Sequence, residues 1–239
     1  MRIKSAVTLL GVDDSIAQVV PLLVKRWQES VFDDDGVVLV DGRRREGLAL
    51  VAGEHAKPGA RYEVVTAGER PGHYVAEVLA DSPGEVRVRV EQADDVPIEA
   101  TVAKGAAKVD ATFDGSVEGI GGAVRGTVAL DLDGPRGAEP QVVGSIEHDR
   151  VVGDVRAWVR PGWTVDVEAD VRGKGLLRPL VAPVLWLRGK RTLTKILEKR
   201  AAEIQALTER LGSPLDPGLV ADKIADDFLA DVVPYKLRT

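Results

Sequence analysis

The sequence contains no cysteine. This absence excludes disulfide bonds, zinc sites built from thiolates, and cysteine nucleophiles. Only three histidines occur, His55, His73 and His148, and each is isolated in the sequence, so none forms the closely spaced pair that is typical of zinc ligands. We therefore expect no metal site and no cofactor.

Aromatic residues are also scarce, at 4% of the chain, so valine, leucine, alanine and isoleucine must build the core. A basic excess is missing as well. The net charge of −6 argues against a protein that binds nucleic acid. Long hydrophobic runs are absent: the apolar run at 176–187 is shorter than the ~20 residues that span a membrane. The run at 6–12 is too short for a signal peptide. We expect a cytoplasmic protein without a transmembrane segment.

Alternating apolar and polar residues dominate positions 37–172. In the last such run, Val165, Val167 and Ala169 alternate with Asp166 and Glu168. One buried and one wet face is typical of an antiparallel sheet, and no helix-length segment interrupts the series. The sequence predicts a meander whose strand-like runs are 37–40, 47–52, 61–66, 73–79, 86–91, 109–113, 124–132, 142–147, 151–159 and 164–172, preceded by a strand at 2–10. The polar run 41–46 is predicted to be a connection.

Three segments have the three- and four-residue apolar spacing of amphipathic helices. The first, 16–27, contains Pro21, which predicts a kink or two short helices. The second, 192–211, ends at Gly212 and is predicted to bury Ile196, Ile204 and Leu207 against the sheet. The third, 219–233, has an acidic outer face. We predict a domain at 1–211, followed by a linker and tail helix at 212–239.

No motif in the sequence specifies a reaction. The glycine-rich run 119–126 lacks the G-x-G-x-x-G spacing and precedes a strand, which favours a hairpin turn over a phosphate-binding loop. No serine lies in a G-x-S-x-G elbow. Basic residues concentrate at 172–200, and this pattern is typical of either the polar face of a helix or a site for an anionic partner.

The order of elements resembles the START-like, polyketide-cyclase-type helix-grip superfamily. The residues that carry the resemblance run from Trp163 through Gly-Leu-Leu-Arg-Pro-Leu at 175–180 to the basic pair Lys190 and Arg191. The resemblance implies an α+β fold in which a curved antiparallel sheet wraps on a long C-terminal helix around an apolar cavity. The strand-like runs outnumber the six of that superfamily, so a closed antiparallel β-barrel with a C-terminal helix is the alternative.

Members of that superfamily bind lipids, hormones or polyketide-like molecules, and some are cyclases. We therefore expect non-catalytic binding of an apolar small molecule or lipid between the sheet and the C-terminal helix. The alternatives are a cyclase-like enzyme that uses His73, His148 or a buried carboxylate, and a structural protein that forms a homo-oligomer through the helix at 219–233. In the helix-grip arrangement the ligand-binding residues are Trp186, Leu180, Val184, Trp163, Arg178 and Arg188.

Overall fold

The computed structural model describes residues 2–40, 42–67, 71–92, 96–116, 122–174, 190–211 and 215–232. Within these residues the chain forms thirteen β-strands, a short 3-10 helix at Asp14–Gln18 and three α-helices. The helices are α1 (Val19–Glu29), α2 (Lys190–Leu211) and α3 (Pro217–Asp231). The strands are β1 (Arg2–Thr8), β2 (Val31–Phe32), β3 (Val37–Val40), β4 (Arg43–Ala52), β5 (Arg61–Thr66), β6 (Gly72–Asp81), β7 (Glu85–Gln92), β8 (Ile98–Ala103), β9 (Lys108–Ser116), β10 (Ala123–Asp131), β11 (Val142–His148), β12 (Val151–Arg160) and β13 (Thr164–Gly173).

The described strands form one open antiparallel sheet. From β2 to β13 each strand pairs with its neighbour in sequence, and β1 completes the sheet by pairing with β13. The chain is therefore an α+β protein, as predicted. The alternative of a closed barrel is wrong, because β1 and β2 lie at opposite edges and closure would require them to pair. With only two residues, β2 also has too little backbone to carry such a ladder.

The sheet has one apolar and one charged face. On the apolar face Val88 lies opposite Val78 on one side and Ala100 on the other. On the charged face its neighbour Arg89 lies between Glu77 and Glu99. Successive side chains of a strand point to opposite faces, so the alternation in the sequence produces this division directly. The predicted antiparallel sheet is confirmed.

Helix α1 covers the apolar face at the β2 end of the sheet. Val24 and Trp27 pack on a buried cluster that contains Tyr62, Val78 and Val86. The 3-10 helix precedes α1 and is capped by Asp13, whose carboxylate accepts a hydrogen bond from the Ser15 N–H at 2.8 Å. Pro21 lies in the first turn of α1, where backbone N–H groups have no partner within the helix. The segment forms two short helices, as predicted, but they join at Gln18 and Val19, and Pro21 lies within α1 without interrupting it.

Helix α3 packs against α1 through a second buried cluster. Leu215, Val220 and Ala221 contact Val19, and all four are at most 6% exposed. The Ser15 hydroxyl fixes the approach to α3 by donating to the Leu215 carbonyl at 3.0 Å. The division of the chain at residue 212 stays a prediction, but the tail helix lies on the same side of the molecule as α1.

Helix α2 runs along the edge strand β1. The hydroxyls of Ser5 and Thr194 lie 2.9 Å apart, and Thr208 donates to the Leu10 carbonyl at 3.3 Å. The helix predicted at 192–211 is therefore present. Ile204 and Leu207 are half-buried, but Ile196 is 54% exposed, so its predicted burial is wrong. A helix that follows an edge strand leaves part of its apolar face turned away from the sheet.

Candidate functional site

A cavity of about 200 Å³ lies between the sheet, α1 and α3. Its lining is almost wholly apolar, and residues of α1, of the strands β2 to β7 and of α3 contribute to it. Val78 at the floor is 1% exposed. The lining residues are Trp27, Ser30, Phe32, Val38, Leu48, Tyr62, Val64, Ala76, Glu77, Val78, Val88 and Phe228.

Four rings pack together at one end of this cavity. Trp27 contacts His55 edge to face at 5.7 Å between ring centroids, and Tyr62 at 6.0 Å. Phe32 lies 4.7 Å from His55 and 5.8 Å from Tyr62. Edge-to-face and tilted contacts at such distances are the favourable arrangements for aromatic rings. A chain with few aromatic residues thus gathers three of them, with a histidine, into one rigid wall.

Hydrogen bonds fix the polar atoms of this wall. His55 Nε2 lies 2.9 Å from the Trp27 carbonyl, which only accepts, so Nε2 carries the proton. His55 Nδ1 therefore accepts from the Tyr62 hydroxyl at 2.8 Å, and the Ala56 N–H donates to the same hydroxyl at 2.9 Å. Burial raises the pKa of Tyr62 above its usual value, which keeps the phenol neutral. The polar atoms of this wall already have hydrogen-bond partners within the protein, so only its rings are available to a molecule in the cavity.

The mouth of the cavity lies beside α3. Phe228 of α3 lines the cavity and is nevertheless 45% exposed, so it occupies the rim. Directly after α1, Ser30 also lines the cavity, and its hydroxyl donates to the Arg26 carbonyl at 3.0 Å. The Arg26 guanidinium connects the two helices by donating to the Gly218 carbonyl at 3.2 Å and pairing with Asp222.

Two larger concavities lie on the charged face of the sheet, and both are open grooves. The groove of about 740 Å³ contains the ion pairs Arg89–Glu99 and Arg125–Glu147. Hydrogen bonds from Lys174 and Arg125 lower the pKa of Glu147, so these charges neutralise one another. The second groove, of about 620 Å³, places Trp158 beside similar pairs. Charged side chains line both grooves, in contrast to the apolar lining of the smaller cavity.

Of the six residues predicted to bind a ligand, Trp163 lies in the described part of the chain. It is 7% exposed at the turn between β12 and β13, has a φ of 55°, and lies 4.2 Å below the Arg136 guanidinium. Its indole Nε1 has no hydrogen-bond partner within the described residues. Trp163 lines none of the three concavities above. The other five lie outside the described residues: Trp186, Leu180, Val184, Arg178 and Arg188.

Sequence reasoning missed the residues that line the apolar cavity. The predicted runs 61–66 and 73–79 contain Tyr62, Val64, Ala76 and Val78, but nothing in those runs assigned these residues to a cavity. The four-residue spacing from Val220 through Ile224 to Phe228 was visible too. No signal in the sequence showed that α1 and α3 would cover these particular strands.

Across the described ranges, no three His, Asp or Glu side chains are grouped closely enough to hold a metal ion. None of the described helices has the length and apolar character needed to cross a membrane.

Comparison with protein-family models, with curated proteins and with solved structures finds no significant match to this chain. The similarity to the helix-grip superfamily therefore stays a prediction. Relatives supply neither a ligand nor a reaction, so a functional proposal depends on the geometry of the cavity, its lining and its mouth.

Proposed function

We propose that this protein binds a small apolar molecule, without catalysis, in the cavity between the sheet, α1 and α3. The observation that carries the proposal is the concave, almost wholly apolar lining, in which the rings of Trp27, Phe32 and Tyr62 pack together. Ligand sites are typically concave and largely apolar, with few polar groups. The hydrogen bonds of His55 and Tyr62 are already made within the protein, which disfavours an acid–base role for either group.

The volume of the cavity limits the ligand to one ring or a short chain. About 200 Å³ is slightly more than the ~150 Å³ of an engineered apolar cavity that binds benzene. It is less than the ~300 Å³ at which ordinary ligand pockets begin. A whole lipid does not fit in this space. A single aromatic ring, or the end of an acyl chain, does.

This cavity differs in place from the one predicted by the helix-grip resemblance. The prediction put the ligand under the helix at 192–211 and beside Trp186, which lies outside the described residues. The geometry supports binding under α1 and α3 instead, with the rings of Trp27 and Tyr62 in the role foreseen for tryptophan.

Fluorine NMR with para-fluorotoluene tests the proposal. The wild type should shift or broaden the probe signal in a saturable way. Ala76→Leu places a larger side chain in the cavity and should weaken binding about tenfold or more, because the added carbons occupy the ligand's space. The matched control Ala129→Leu lies on the charged face of the sheet, beyond the cavity, and should bind as the wild type does. Absence of saturable binding by folded wild type would refute the proposal.

A second candidate function, self-association, is favoured by apolar side chains in the centre of the sheet. Val128 and Ile146 on the apolar face are 43% and 45% exposed, beside a shallow cleft lined by Phe113 and Val155. Exposed apolar surface of this kind marks interfaces. Sedimentation of wild type and of Val128→Lys distinguishes the candidates. A dimer that dissociates in the variant would support self-association.

A further inference from the structure

We infer that the C-terminal half of α3 is a lid on the apolar cavity, with Phe228 as its closing side chain. The inference rests on the proposed function, since a lid has meaning only where a ligand is bound. It follows from three features of α3: a firmly held first half, a loosely held second half, and, within the described residues, one backbone link at the end.

The first half of α3 is fixed to α1. Val220 and Ala221 are 2% and 0% exposed, and Leu215 just before the helix is 4% exposed. Asp216 caps the helix by accepting the Gly218 N–H at 2.7 Å. Arg26 adds a hydrogen bond to the Gly218 carbonyl and an ion pair to Asp222. These contacts make the first two turns part of the core.

The second half of α3 has no comparable support. From Lys223 to Ala230 every described side chain is at least partly exposed, and Ile224 and Phe228 are 42% and 45% exposed. Segments with few buried apolar contacts open locally at much lower free energy than the whole protein unfolds. The helix therefore has a fixed half and a half that can separate from the sheet.

One backbone link closes the end of α3. Val232, directly after the helix, forms an isolated antiparallel bridge with Thr66, the last residue of β5. Phe228 lies one turn before this bridge and forms part of the cavity lining. When the bridge breaks, the loosely held half moves Phe228 away from the rim. The cavity then opens to solvent without disturbance of the cluster around Val220.

The absence of native cysteine allows a direct test. In the double variant T66C/V232C the two new thiols lie across the antiparallel bridge, a geometry that suits a disulfide. Oxidation should lock the lid and slow exchange of para-fluorotoluene, measured by fluorine NMR, about tenfold or more. Reduction should restore the wild-type exchange rate. Each single variant should show no response to oxidation.

An independent variant removes the closing ring. F228A should accelerate exchange several-fold, because the rim stays open when the lid is in place. The control L219A removes a side chain that is 48% exposed on the fixed half of α3 and should exchange as the wild type does. If the wild type binds the probe but neither the lock nor F228A changes its exchange rate, the lid is refuted and the binding function stands. If the folded wild type does not bind the probe, the proposed function is refuted first.

Discussion

Tyr62 is the residue on which the cavity wall depends most. It is 4% exposed, its ring packs against Trp27 and Phe32, and its hydroxyl occupies a hydrogen-bond chain between Ala56 and His55. Strand β5 places Tyr62 on the apolar face of the sheet, so its buried hydroxyl needs hydrogen-bond partners from the protein itself. Removal of the hydroxyl alone therefore separates the contribution of the ring from that of the hydrogen bonds.

We expect Tyr62→Phe to lower the free energy of unfolding by about 1–3 kcal/mol, because the Ala56 N–H and His55 Nδ1 each lose their partner. Urea denaturation followed by fluorescence measures this change. A double-mutant cycle with His55→Phe provides the control, since the two losses should be less than additive if the hydroxyl acts through His55. Strict additivity would show that the hydrogen bond contributes nothing.

Gly11 tests the contact between α2 and β1. Its φ is +75°, and an added Cβ would lie 2.9 Å from Thr208 Oγ1 on the helix. Gly162 has the same φ of +75° but no atom within 4 Å of the added carbon. Gly162→Ala should therefore cost about 1–2 kcal/mol from backbone conformation alone. Gly11→Ala should cost measurably more in thermal denaturation, and equal costs would show that α2 does not press on the turn after β1.

The sequence predicted the face of the sheet to which a side chain points better than it predicted which residues that side chain contacts. Alternation assigned Val165, Val167 and Ala169 to one face, and Val167 is buried, because the period of a strand is local. The ring contacts among Trp27, His55 and Tyr62 join separate parts of the chain, and Phe228 of a fourth part lines the same cavity. Composition carries no information about such convergence. His55 was interpreted as an isolated histidine for this reason.

At the scale of elements, two adjacent residues that differ in burial test whether α3 packs on α1. Val220 is 2% exposed, and its neighbour Leu219 is 48% exposed. Val220→Ala should lower the free energy of unfolding by about 1–3 kcal/mol through the cavity it leaves. Leu219→Ala should change it by less than about 0.5 kcal/mol, as for other exposed sites. Chemical denaturation of both variants provides the comparison, and similar effects would contradict the packing of α3 on α1.

Most helices and strands were predictable because each has its own local period. Two departures have physical causes. The polar run 41–46 was predicted to be a connection, but β4 begins at Arg43, where Leu39 pairs with Arg44 through backbone hydrogen bonds that hydropathy does not report. Strand β8, Ile98–Ala103, was not assigned, since alanine and threonine make its alternation weak. Its two neighbours supply the pairing that holds it in place.

At the scale of the whole molecule, paired carboxylates link stability to pH. Hydrogen bonds from Arg172 hold the pKa of Asp170 at about 2, and Lys108 and Lys174 lower the pKa values of Asp131 and Glu147. A carboxylate whose pKa is lower in the folded state than in the unfolded state stabilises the fold at pH values above its unfolded pKa. This stabilisation is lost as the pH falls through the folded-state pKa.

We therefore expect the midpoint of thermal unfolding to fall as pH decreases from about 4.5 toward 2, with little contribution from these groups above that range. Asp170→Asn should have a lower midpoint of thermal unfolding than the wild type at neutral pH, and its midpoint should fall by less on acidification. Added salt should reduce the difference between the two proteins, because these side chains are close to solvent. Equal stability of the wild type at both ends of the acid range would contradict this account.

The strand order also determines when each strand can pair while the chain is being synthesised. Every strand from β3 onward finds a partner that has just left the ribosome, and such local pairings form fast. The exception is β1, whose partner β13 follows about 150 residues later. At a translation rate of ~5–20 residues per second, Ile3 and Val7 are synthesised roughly 8–30 s before their partner strand β13. During that interval β1 has no partner strand and its apolar side chains Ile3 and Val7 stay uncovered, so β1 is where we expect a chaperone to act first.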